Sequence, residues 1–104
     1  MPDPAPRLRP DLYVVLRLLE ALARNSNQLS RSALQRDARL NYTLFVRYLE
    51  VLQERRLVAL IPGTEDAMVT LTSRGYQAYH FLLAGLTEIL GKDRVLDSST
   101  RASK

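Results

Sequence analysis

The stretch LSRSALQRDARLNYTLFVRYLEVLQERRLVALI, Leu29 to Ile61, writes one helix-start signal twice, eleven residues apart, and then becomes a short strand. Leu29-Ser30 opens one helix and Leu40-Asn41 opens the next. In each, an N-cap residue follows an apolar residue whose partner lies five positions on: Leu29 with Leu34, Leu40 with Phe45. This hydrophobic staple sets the angle at which the chain joins the helix. With only Arg39-Leu40-Asn41 between them, the two helices must cross sharply. That is the pattern of a helix-turn-helix, and it points to DNA.

Upstream, Asp11 to Arg24 reads as a first helix with one apolar stripe: Leu12, Val15, Leu16, Leu19, Leu22 and Ala23. Asp11 sits favourably at the positive end of its dipole. Asn25 to Gln28 is a polar turn. The second helix runs from about Arg31 to Ala38, capped by Ser30 or Ser32, with Leu34 and Ala38 inward. The third runs from Tyr42 to about Arg55 behind the cap Asn41. Phe45, Tyr48, Leu49 and Leu52 share its inner face; Tyr42, Thr43, Val46, Arg47 and Glu50 share the outer one. No core requirement explains Tyr42, Thr43 and Arg47, which are therefore expected to face the major groove.

Downstream, Leu57 to Ile61 is a β-type run, Pro62 to Asp66 a turn by composition, and Met68 to Leu71 a second strand. The pair makes a hairpin where a winged helix carries its wing. The staple then appears a third time, as Leu71, the cap Thr72, and Tyr76. It starts a fourth helix that continues to Leu90, with Gly91 as its stop. Gly75 in the first turn allows close approach of the hairpin.

Charge is unevenly spread. The chain has 104 residues and a net charge of +4, and 13 of its 15 basic residues are Arg, Lys92 and Lys104 being the exceptions. Guanidinium groups grip phosphates and guanine edges in a fork that ammonium cannot copy, although a compositional preference for Arg accounts for the ratio equally well. Between Arg24 and Arg47 stand five Arg (24, 31, 36, 39, 47) and one acid, Asp37. A basic patch coinciding with a helix-turn-helix is the footprint of phosphate binding; a solvated charged face is the plainer alternative.

Other classes of function find little support. There is no Cys, hence no disulfide, zinc ribbon or thiol chemistry. No apolar run approaches a membrane span and no signal core opens the chain, so a cytoplasmic, nucleoid-associated location without membrane contact is expected. The single His, His80, is expected to be a partly buried packing residue, and Glu65-Asp66 lacks a third ligand, so no metal site is assigned. Neither a phosphate-cradling Gly loop nor a nucleophile elbow occurs. An enzyme is not expected, nor a cofactor, and no small-molecule effector can be identified.

The fourth helix has two apolar stripes. Tyr76, Tyr79, Leu83, Leu86 and Leu90 follow a heptad-like seam, and Ala78, Leu82, Gly85 and Ile89 form the other. A small monomer covers one stripe with its own body; a second copy of the helix is the economical cover for the other. The alternative is a last part folded back on the first helix. The chain thus divides into a flexible Pro/Arg arm (1–10), a winged helix-turn-helix domain (11–71), a C-terminal dimerisation helix (72–91) and a flexible tail (92–104). The fold class expected is mainly α with a small β-hairpin, the long last helix forming a coiled-coil dimer.

The segment Ala38 to Val58 resembles the archaeal winged-helix DNA-binding proteins, in particular the small Sulfolobus chromatin-type proteins. The features that match are Leu40-Asn41-Tyr42 at the turn, Tyr48-Leu49 in mid-helix, Leu57-Val58 opening the hairpin, and Leu71-Thr72-x-x-Gly75 opening the last helix. The resemblance spans about residues 12 to 90. It implies DNA binding by a homodimer joined through a C-terminal antiparallel coiled coil. Two departures stand out: Arg56 replaces the Gly usual before the Leu-Val strand, and the wing turn is acidic at Glu65 and Asp66.

The expected function is a homodimeric transcription regulator binding double-stranded DNA. The candidate DNA-binding residues are Arg31, Ser32, Arg36, Arg39, Asn41, Tyr42, Thr43 and Arg47, with the N-terminus of the second helix also holding the backbone. Glu50 either contacts cytosine N4 or pairs with Arg47. An architectural chromatin protein of low sequence preference, and a winged helix used for protein–protein assembly, are the other readings. The acidic wing favours the last.

Overall fold

The computed structural model describes residues 10–63 and 65–91. The arm expected over residues 1–10 (Pro10 apart) and the tail expected over 92–104 lie outside the described residues. The elements are α1 (Leu12–Arg24), β1 (Gln28–Ser30), α2 (Arg31–Ala38), α3 (Tyr42–Glu54), β2 (Val58–Ile61), β3 (Met68–Leu71) and α4 (Ser73–Leu90). The strands form one antiparallel sheet in the order β1-β3-β2. This is a winged helix: three helices, a sheet whose β2–β3 hairpin is the wing, and a long last helix.

Asp11 is the N-cap of α1 rather than its first residue, its carboxylate accepting the Tyr13 N–H at 2.8 Å. The buried face of α1 is Val15, Leu16, Leu18, Leu19, Ala21 and Leu22. The single stripe expected for this helix is therefore corrected. Leu12 is 53% exposed, and Leu18 and Ala21 are inside instead. The reason is position: α1 packs against α2, α4 and β3, so more than one stripe of its surface is covered.

The expected turn at Asn25–Gln28 is shorter than read, because Gln28 already belongs to β1. Ser26 and Asn27 are both left-handed, at φ 61° and 68°, and turn the chain back under α1. Asn27 donates to the Leu22 carbonyl at 2.7 Å and its own carbonyl accepts the Leu71 N–H at 2.8 Å, which hands the chain to the sheet. Gln28, Leu29 and Ser30 then oppose Thr70, Val69 and Met68. A three-residue strand has no alternation to read, and only the partner strand makes it one.

Three caps stand where the staples place them. The Ser30 hydroxyl accepts the Ala33 N–H at 3.1 Å, which decides for Ser30 over Ser32. Asn41 Oδ1 accepts the Leu44 N–H at 2.8 Å, and Thr72 Oγ1 accepts the Gly75 N–H at 2.9 Å. Such caps are worth about 1 kcal/mol each. The turn between α2 and α3 is tied by Gln35, whose side chain donates to the Leu40 carbonyl at 3.1 Å while its carbonyl accepts the Leu40 N–H at 3.3 Å. Leu18, Leu19, Leu22, Leu34, Phe45, Leu52 and Val69 are fully buried, so one core receives side chains from α1, α2, α3 and the sheet.

The fourth helix is covered on one side only. Gly75 is buried, and Ala78, Tyr79 and Leu82 pack against the core. Leu83 and Leu86 are half-buried. Phe81 and Ile89 are 84% and 77% exposed, with Ala84 and Gly85 open between them. The seam expected on this helix is therefore divided: Tyr76 and Leu90 face out, while Tyr79 belongs to the domain's own packing.

Candidate nucleic-acid interface

The inward residues of α3, Phe45, Tyr48, Leu49 and Leu52, are all buried and fix which side of the helix faces out. Tyr48 adds a polar tie, its hydroxyl accepting the Asp11 N–H at 2.9 Å and joining mid-α3 to the start of α1. The opposite side presents Tyr42 (62% exposed), Thr43, Arg47 and Glu50, with Val46 half-buried among them. Among the described residues the only ion pair is Arg24–Asp37, so Arg47 and Glu50 are not paired. Asn41 uses its side-chain oxygen on the cap. The amides of Tyr42 and Thr43 have no partner among the described residues, leaving two N–H groups at the positive end of the α3 dipole.

The N-terminus of α2 is different, because its amides are engaged within the chain. The Arg31 N–H donates to the Ala67 carbonyl at 2.9 Å, and the Ser32 N–H to Asp66 Oδ2 at 3.4 Å. The third amide, that of Ala33, goes to the Ser30 cap. The acidic wing turn thus lies back against the helix-turn-helix. Arg31 itself is half-buried, with its Nε enclosed and unpartnered.

The five Arg counted as one patch do not form one. Arg24, Arg36 and Arg39 line an open concavity of about 1030 Å³ between α1 and α2, together with Arg17, Glu20 and Asp37. There Arg24 meets Asp37 at 3.7 Å, and Arg17 donates to the Ala38 carbonyl at 2.5 Å. Neither Arg31 nor Arg47 lines that concavity. Arg17 was not among the sequence candidates. Its signal is the seven-residue spacing to Arg24, which places both on one face of α1. Arg39 caps α2 in the left-handed region, at φ 59°.

His80 is exposed, which corrects its expected part-burial. It lies on the outer side of α4, where the Tyr76 ring meets it edge-on at 4.5 Å between centroids. Among the described residues no helix is long and apolar enough to cross a membrane.

No protein-family model matches the sequence, and no curated protein matches it significantly. Solved structures do match the fold. A winged-helix DNA-binding protein from STIV superposes with a TM-score of 0.74 at 12% identity, over 80% of this chain and 97% of that one. Sso10a-2, a DNA-binding protein from Sulfolobus solfataricus, gives 0.68 at 13% identity, over 91% and 94%. The antimony-specific transcriptional repressor AntR gives 0.59 at 24% identity, over 80% and 78%. At such identities the likeness is one of architecture, and what it establishes is that this chain has the winged-helix fold.

Proposed function

We propose that this chain is a homodimeric DNA-binding protein, most simply a transcription regulator, that places α3 in the major groove. The observation that carries the reading is the outward face of α3. Tyr42, Thr43 and Arg47 project from it into solvent beside two unpartnered amides at the helix's positive end. Arg47 and Tyr42 would meet bases or phosphates, and Arg36 and Arg39 the flanking backbone. The structural relatives described as DNA-binding proteins and as a repressor support the same reading. Such a protein would work in the cytoplasm on nucleoid DNA.

The dimer is supported by the open side of α4. A run containing Phe81 and Ile89 at 84% and 77% exposure is unusual for a lone soluble domain. Leu12 and Tyr13 at the start of α1 are also half-exposed and extend the apolar surface. A second copy of α4 is the cover that fits a long helix carrying Phe81 next to the small residues Ala84 and Gly85.

The test is binding to duplex DNA across a salt series. Affinity should fall steeply with salt, and Arg47→Ala should weaken it about tenfold, in the range of 1–3 kcal/mol for a base-reading Arg. Salt-independent or absent binding would exclude the reading in favour of protein assembly. The short list of polar groups on the outer face of α3 favours one second reading, an architectural protein with little sequence preference. Footprinting on genomic fragments separates the two: discrete protected sites belong to a regulator, uniform protection to an architectural protein.

A further inference from the structure

The acidic turn of the wing has a partner inside the molecule. No acidic residue lies in the first turn of α2, although a carboxylate there is favoured by the helix dipole. The carboxylate comes instead from 34 residues away, where Asp66 Oδ2 accepts the Ser32 N–H at 3.4 Å. That distance is long for a hydrogen bond, so the attraction is mainly charge against the positive helix end. The neighbouring Arg31 keeps a buried Nε with no partner, so the cation next in sequence is under-satisfied. Asp66 also lies beyond the last ladder pair of the hairpin, Ile61 with Met68, so its side chain can swing away without breaking strand pairing.

We propose that Asp66 is a built-in competitor for DNA phosphate, its carboxylate occupying the α2 N-terminus that a backbone phosphate would otherwise take. This rests on the DNA-binding reading above and adds to it a restraint on affinity. One wing carboxylate and one phosphate cannot share a single helix end, because like charges in contact repel and the amide of Ser32 serves one acceptor at a time. Bound DNA must therefore displace Asp66 or leave α2 out of the grip. Glu65, its exposed neighbour, changes the net charge equally but has no such contact.

The experiment compares the full chain with Asp66→Asn, Asp66→Ser and Glu65→Gln on one duplex over a salt series. Asn and Ser each keep an acceptor for the Ser32 N–H, so a fold retained by either variant suffices. The expected result is binding roughly three- to tenfold tighter for the Asp66 variants. Their plot of log affinity against log salt should also steepen by about 0.9, the value for one added phosphate contact. Glu65→Gln should change affinity less than about twofold and leave the slope alone, since an exposed charge acts only through a screened field. Equal effects of the two positions, or weaker binding by the Asp66 variants, overturn the proposal while leaving DNA binding intact. Absence of salt-dependent binding by the unaltered chain overturns both.

Discussion

At the scale of single residues, Thr72 and Gly75 show why a short signature marks this fold. The Thr72 hydroxyl accepts from Gly75 and shares its hydrogen between the carbonyls of Arg56 and Leu57, at 2.8 and 3.0 Å. The last helix is thereby pinned over the start of β2, and the gap is so narrow that a Cβ on Gly75 would collide with the Leu57 carbonyl and sit 2.7 Å from Leu71 Cδ1. Gly75→Ala should therefore destabilise by more than 2 kcal/mol in urea unfolding, far above its usual helix-propensity gain of about 1 kcal/mol. Arg56 makes the opposite case. It ends the α3 turn at φ 62°, where a side chain is strained, and its side chain is exposed. Arg56→Gly should raise stability by about 0.5–1 kcal/mol in the same measurement.

At the scale of elements, the packing of α4 on α1 sets a pH limit. Burial raises the pKa of the Tyr79 phenol above its ordinary value, and the Glu20 carboxylate across on α1 raises it further, with Arg24 opposing. A raised pKa in the folded state means that the neutral phenol is what the packing favours. Its contribution is fully present below the ordinary tyrosine value near 10 and is lost as pH rises through the folded value. Stability differences between the unaltered chain and Tyr79→Phe should accordingly be flat through neutral pH and shrink or reverse only in the alkaline range. Thermal unfolding at stepped pH checks this; a difference that already varies between pH 6 and 8 would assign the effect to another group.

At the scale of the whole molecule, the uncovered side of α4 decides the assembly. Phe81 is more exposed than any other large apolar residue described, and it sits on neither of the two stripes read from the sequence. If a second copy covers this side, Phe81→Glu should halve the mass found by sedimentation equilibrium. It should also weaken DNA binding by lowering the effective concentration of the second α3. Tyr79→Phe should leave the mass unchanged, since that side chain belongs to the domain's own core. A monomer mass for the unaltered chain would instead show that α4 serves one protomer alone.

What could be read along the chain was local. The staples at Leu29, Leu40 and Leu71, the caps Ser30, Asn41 and Thr72, and the inner face of α3 each depend on residues within one or two helical turns. The amino acids alone therefore determined the order of the four helices and the wing. β1 was not legible, because Gln28–Ser30 is a strand only by pairing with Thr70–Met68, forty residues on in the chain. The width of α1's buried face, the inward turn of Asp66 and the division of the five Arg between a concavity, the wing and α3 share that origin. Charge counted along a chain records how many guanidinium groups there are, whereas packing decides which of them point the same way. Helix starts are encoded next to themselves; sheet edges, charged surfaces and the free side of a long helix exist only once distant segments meet.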